Sequence, residues 1–143
     1  MKVVIVGNRN FNLSHHNLSH ILNKNSLKNI ERFLVRKKTG IDRSVKTYCL
    51  RNDLEFSERL GDYSRYGKAA GPIRDRELAQ EADILIVICL LGQTDSDYKS
   101  IKNEFKRLKK RIIVENHKNS FPRTVLPVNS PERRARSQVL DLL

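Results

Sequence analysis

The residues with the most chemical potential in this chain are cations set beside glycines. Gly7-Asn8-Arg9 ends an apolar run, Arg36-Lys37-Lys38 precedes Gly40 and Asp42, and Lys68 and Arg74 flank Gly71-Pro72. Such groupings suit an anion, phosphate above all. Glycine lets a phosphate approach the backbone and accepts positive φ, and a guanidinium offers a planar fork of donors. Asp42 has two open readings: it accepts from a ribose hydroxyl, or it caps its own helix. Bond-making chemistry is harder to find. No Ser-His-Asp set stands out, no cysteine neighbours a histidine in sequence, and no catalytic residue is assigned. Glu104, alone on an amphipathic helix, reads as solvated surface. His16 and His20 lie one helical turn apart, a spacing that can chelate a metal. No Asp or Glu occurs between Met1 and Ile30 to complete such a site. His15, His16 and His20 therefore read as an exposed polar helix face, and no metal ligand is assigned.

Positioning these residues falls to alternating strands and helices. Lys2–Val6 and Ile84–Leu91 are continuous apolar runs, as expected of parallel strands covered on both faces. Weaker strand candidates are Ile30–Arg36, Leu54–Phe56 and Arg111–Val114. Between them, Leu18, Ile21 and Leu22 have helical spacing with Asn12 or Ser14 as N-cap. Asp42–Leu50, Ile73–Glu81 and Asp97–Lys110 read as further helices, with Pro72 just inside the third. Ser57–Gly71 reads as a long loop. The alternation predicts an α/β fold: a Rossmann-like open parallel sheet of five strands with helices on both faces and Ile84–Leu90 central. In such sheets ligands sit outside the carboxyl ends of the strands, at a topological switch point. The loops there are Gly7–Phe11, Arg36–Asp42, Ser57–Gly71 and Gly92–Asp97. Residues 116–143 break the pattern with Pro122, Pro127 and Pro131 and a basic PERRAR run; Ser130 and Pro131 offer a start for one last helix.

Composition bounds the setting. The 143 residues are 38% apolar and 31% charged, which suits one folded domain rather than a disordered chain. No apolar run reaches the ~20 residues that span a bilayer, and the N-terminus lacks the pattern of a secretory leader. A cytoplasmic protein without a membrane partner is expected, with Cys49 and Cys89 as buried, reduced thiols. The net charge of +12 attracts anions, whether nucleotides, nucleic acid or acidic proteins. Homo-oligomerisation is left open.

The most specific stretch is Tyr66–Asp83, YGKAAGPIRDRELAQEAD, which leads into ILIVI. It resembles the YspA-type branch of the SLOG superfamily, the assembly containing DprA and the lonely-guy enzymes. In that branch a G-x-A-A-G-P-x-R-N-R-x-M-like motif leads into ADALIAF. VIVGNRNF at 4–11 resembles the family's first strand and its G-S-R-D-F turn, and GIDRSVKTYC at 40–49 resembles its second glycine loop and helix. The resemblance runs over residues 1–115, implying a SLOG-like Rossmann domain there and a Pro-containing basic extension over 116–143. It implies a pocket for nucleotides or nucleotide-derived signals, lined or supported by Gly7, Arg9, Gly40, Asp42, Gly71, Pro72, Arg74 and Arg76. Asn8, Arg36, Lys37, Lys38, Tyr66, Lys68, Gly92 and Ser96 stand in the same loops and complete the candidate ligand-binding set. Arg74 is the expected main anion contact, because a helix started by Pro72 puts it in the first turn beside free N–H groups. Arg76 is expected to turn away toward a carboxylate or the long loop.

The sequence also departs from the family's pattern. Val35-Arg36-Lys37-Lys38 stands where the family writes S-G-G-A, Ser96-Asp97 where it writes G-T, and Asp75 where it has Asn. The function expected is non-catalytic binding of a nucleotide-derived phosphate ligand with no required cofactor, as in a phage or mobile-element protein that senses or sequesters a nucleotide signal. One alternative is a DprA-like single-stranded DNA binder, using Arg36–Lys38, Lys106–Arg111 and Arg133–Arg136 with Tyr63 and Tyr66 as stacking aromatics. Another is a nucleotide N-glycoside hydrolase of lonely-guy type, although the P-G-G-x-G-T-x-x-E motif of those enzymes is missing.

Overall fold

A computed structural model of the chain describes residues 1–7, 11–36, 40–90 and 98–117. The chain divides into two compact units, residues 1–89 with 93–115, and residues 90–92 with 116–143. Of the second, only Leu90, Asn116 and His117 are among the described residues. The helix expected from Ser130 lies outside them.

Five strands form one parallel sheet. In chain order they are β1 (Lys2–Gly7), β2 (Arg32–Val35), β3 (Phe56–Glu58), β4 (Ile84–Leu90) and β5 (Arg111–His117), and their order across the sheet is β3-β2-β1-β4-β5. β1 pairs with β2 through Val3↔Phe33 and with β4 from Val3↔Ile84 to Gly7↔Ile88. β4 is therefore central, as its apolar run predicts. Both of its faces are covered, so it needs no polar alternation.

Successive residues of a strand face opposite sides of the sheet. Val4, Val6, Leu34, Leu85 and Val87 share a core with Leu78, Ala79, Ile101 and Phe105. The last four come from α4 (Ala70–Glu81) and α5 (Lys99–Arg107). The other parity, including Val3, Ile5, Phe33 and Ile86, is equally buried. That face takes α2 (Ile41–Asn52), which lies against β1 and β2 and beside α1 (His15–Lys24). Leu18, Ile21 and Leu22 are the buried stripe of α1, and the Ser14 hydroxyl caps it by accepting from the Asn17 N–H.

Two expectations are corrected. Ser57–Gly71 is not a loop throughout: after β3 it holds α3 (Tyr63–Tyr66), a 3-10 turn (Gly67–Ala69) and the start of α4. The Asp62 carboxylate caps α3 by accepting from the Arg65 N–H. Helix α4 also begins three residues earlier than Ile73, at Ala70. Pro72 is its third residue, which costs no intrahelical bond because the first N–H groups of a helix have no internal acceptor. Arg74 is then the fifth residue, beyond the first turn.

One contact ties α4 to the sheet. The Lys110 ammonium, just ahead of β5, donates to the carbonyls of Ala79 (2.7 Å), Gln80 (3.0 Å) and Ala82 (2.8 Å). Carbonyls at a helix C-terminus lack internal partners and carry the negative end of its dipole, so one cation there satisfies three of them.

Candidate functional site

The strand order reverses beside β1: β2 lies on one side and β4 on the other. That is the topological switch point, and its crevice opens at the carboxyl ends of β1 and β4. Gly7 ends β1 there. A β-carbon on Gly7 would lie 2.8 Å from the Ile88 carbonyl oxygen and 2.8 Å from Ile41 Cγ1. Glycine at this position permits β1, β4 and the start of α2 to meet. Gly40, the N-cap of α2, has φ 64°, a conformation that strains any other residue. The two glycines thus serve a close approach and a positive φ respectively.

Next to this crevice lies a buried charged cluster. Arg36 directly follows β2 and is 2% exposed; Asp75 on α4 is also 2% exposed, and Arg74 is 7% exposed. Arg36 Nη1 lies 3.6 Å from Asp75 Oδ2, and Arg74 Nε donates to Asp75 Oδ1 at 3.0 Å. Asp42, buried on α2, accepts the Arg36 backbone N–H at 2.9 Å. Two guanidiniums and two carboxylates therefore balance in a place where an unpaired charge would be strongly disfavoured.

The cluster changes the roles assigned to its members. Asp42 stands in the first turn of α2, whose N-cap is Gly40, and its carboxylate holds the backbone at the end of β2. Arg74 is not a lightly packed first-turn cation but is held by Asp75. Its Nη1 lies 3.5 Å from the Tyr63 hydroxyl, and a β-carbon on Gly71 would come within 3.7 Å of its Nη2. The guanidinium thus keeps one edge toward Gly71 and Tyr63 while the other grips Asp75. Arg76 is exposed and has no carboxylate partner among the described residues, so the pairing expected of it is found at Arg74. Tyr66 and Lys68 are exposed on α3 and the 3-10 turn, with the Arg65 guanidinium 5.1 Å from the Tyr66 ring centroid. Gly71 and Pro72 lie in the first turn of α4. Asn8, Arg9, Lys37, Lys38, Gly92 and Ser96 lie outside the described residues.

The histidines of α1 are exposed. Among the described residues no three His, Cys, Asp or Glu side chains gather as a metal site. Both cysteines are free. Cys49 is fully buried, and burial pushes its thiol up to about 11. Cys89 is half-buried, with its sulfur 3.2 Å from the Tyr98 hydroxyl. No described helix is long and apolar enough to cross a membrane.

One concavity of the structure went unmarked in the sequence. It is a groove of about 390 Å³ between the segment entering α1 and one face of α2, with Ser14, His15, Arg43, Thr47, Tyr48 and Arg51 among its lining residues. The only sequence signal for it was the i, i+4, i+8 spacing of Arg43, Thr47 and Arg51.

The chain matches no family model, no curated protein and no solved structure.

Proposed function

We propose that this chain is a binding protein for a nucleotide-derived, phosphate-bearing ligand held at the carboxyl ends of β1 and β4, and that it acts by binding rather than turnover. The observation that carries the reading is the β3-β2-β1-β4-β5 order, with Gly7 at the crevice it creates. The net charge of +12 draws anions toward that crevice. Arg74 is the contact we assign to the phosphate. With Asp75 fixing one edge of its guanidinium, little rotamer freedom remains to be lost on binding, and donors remain for an anion at Gly71. The resemblance to the SLOG superfamily supports the same ligand class.

The test is mass spectrometry of small molecules released when the purified protein is denatured. A phosphate-bearing nucleotide derivative, lost from Arg74→Ala protein that is still folded, is the expected result. Protein that releases none and binds no member of a nucleotide panel overturns the reading.

A second reading, a single-stranded nucleic-acid binder, draws on a separate observation. Tyr63 and Tyr66 are exposed on α3, with Arg65 between them. Exposed aromatics beside cations suit base stacking. Tyr63→Ala/Tyr66→Ala would then weaken oligonucleotide binding and leave mononucleotide binding intact.

A further inference from the structure

The groove between α1 and α2 lies on the helical layer, and its lining includes none of the residues assigned to the switch-point ligand. Arg43 and Arg51 are both exposed and neither makes an ion pair among the described residues. No acidic residue lines the groove. Six other surface cations, Lys2, Lys24, Arg32, Lys46, Arg59 and Arg107, each sit against a carboxylate, whereas Arg43 and Arg51 do not. Two uncompensated guanidiniums therefore face one concavity.

The walls are fixed before any ligand arrives. The Ser44 hydroxyl accepts the Leu13 N–H at 2.9 Å and lies 3.3 Å from the Gly40 carbonyl, which joins the segment before α1 to α2. The rings of His15 and Tyr48 meet at 4.8 Å, tilted by 39°. The Tyr48 hydroxyl is tied to Ser19 at 3.2 Å. The Asn52 amide lies 2.9 Å from His15 Nε2 and donates to the Tyr48 carbonyl. The floor is thus a braced aromatic pair with a cation toward either end. The Ser14 hydroxyl accepts from Asn17, so its own proton stays free to donate, beside the positive end of the α1 dipole.

We propose that this groove is a binding site for an elongated small molecule carrying two phosphate groups. Arg43 and Arg51 stand about 12 Å apart along α2 and about 80° apart around it. That is too wide a span to suit a single small anion and matches two anionic groups on one scaffold, with its less polar middle over Tyr48 and His15. Phosphate is favoured because guanidinium forks and hydroxyls from Ser14 and Thr47 supply enough donors for its three acceptor oxygens. A volume of about 390 Å³ lies within the usual range for small-molecule sites. This inference does not depend on the switch-point reading, since the two sites share no assigned residue.

The test is an NMR titration of the full, isotope-labelled chain with adenosine 3′,5′-bisphosphate at low salt. Saturable shifts are expected at the amides of Ser14, His15, Arg43, Thr47 and Arg51. An Arg43→Gln/Arg51→Gln variant should lose about a hundredfold in affinity, with its thermal midpoint unchanged because both side chains are exposed. Shifts confined to Gly7, Gly40 and Arg74 would support the switch-point reading and overturn this one. Groove shifts that persist unchanged in the double variant, or no saturable shift at all, overturn it as well. A single-stranded oligonucleotide that moves these amides when the bisphosphate does not overturns the small-molecule assignment.

Discussion

Arg36 and Asp75, separated by 39 positions in the chain, face each other at 3.6 Å, almost wholly shielded from bulk water. Asp75 also accepts from Arg74 Nε at 3.0 Å, so one buried carboxylate stands against two guanidiniums. Breaking a buried pair from one side costs about 3–5 kcal/mol, whereas replacing both partners costs far less. Asp75→Asn should therefore destabilise strongly, and Arg36→Met/Asp75→Asn should recover at least ~1 kcal/mol relative to the sum of the single changes. Urea unfolding of the four proteins measures the coupling; strictly additive losses would show that the two charges do not support each other.

Arg74 and Arg76 are predicted to separate in stability as well as in binding. Arg74→Ala removes the hydrogen bond to Asp75 inside the buried cluster and should cost about 1.5–3 kcal/mol. Arg76→Ala, at an exposed position, should stay within about 0.5 kcal/mol of wild type. Thermal unfolding of both variants decides this. It must precede any binding assay on Arg74→Ala, so that lost folding is not read as lost affinity.

Lys110→Met keeps most of the aliphatic stem and removes the ammonium shared by the carbonyls of Ala79 and Gln80 in α4 and of Ala82 just after it. The expected loss is about 1–3 kcal/mol, the cost of leaving helix-end carbonyls without a charged donor. Hydrogen exchange should show faster opening of the last turn of α4. Unchanged protection at Leu78–Ala82 would count against it.

Cys49 should be inert to alkylation in the native protein near neutral pH, because the thiolate is the reactive form and burial holds the group as thiol up to about pH 11. The same shift has a stability consequence with a definite sign. The folded state keeps the proton more tightly than the unfolded chain, so this contribution is intact below the ordinary thiol value of 9.0 and is lost as pH rises toward 11. Cys49→Ala should flatten that part of the pH profile relative to wild type, measured as unfolding free energy between pH 9 and 11.

Gly7→Ala places a methyl group 2.8 Å from the Ile88 carbonyl oxygen. The backbone oxygen of a central strand cannot swing aside as a side chain can, so the substitution should cost about 1–3 kcal/mol. A variant as stable as wild type would mean that β1 and β4 separate more easily than their pairing implies.

The sheet was legible because its strands are fully buried. Val3–Val6 and Ile84–Ile88 need no alternation, and a continuous apolar run in an α/β chain has few other readings. The Ser14 cap was legible because capping is local. Helix α3 and the turn after it were not, because Tyr63–Ala69 buries no side chain and so carries no apolar period. Gly71-Pro72 misled in a definite way: both residues usually mark a boundary, yet near a helix start neither breaks a bond. The site residues divide along the same line. The special backbone of Gly40 could be read from residue type alone. The partners of Arg36 and Arg74 could not, since Asp75 reaches Arg36 only through the folding of α4 onto the sheet. The groove of Arg43 and Arg51 was half visible, as a stripe on one helix whose facing wall comes from another.

The sheet order has a consequence for how the chain can be made. Reading from the ribosome, β1, β2 and β3 emerge first, with α1 and α2 to cover one of their faces. The opposite face, with Val4, Val6 and Leu34, waits for α4, β4 and α5. The Lys2 backbone N–H does not meet the Asp83 carboxylate that holds it at 2.7 Å until the whole of α4 has been synthesised. A nascent chain that ends just after β3 is thus half a sandwich, greasy on one side and open along the strand edge where β4 will insert. Such a species is prone to aggregate or to recruit a chaperone, and the time from the synthesis of β3 to that of α5 is when this protein is most exposed to both.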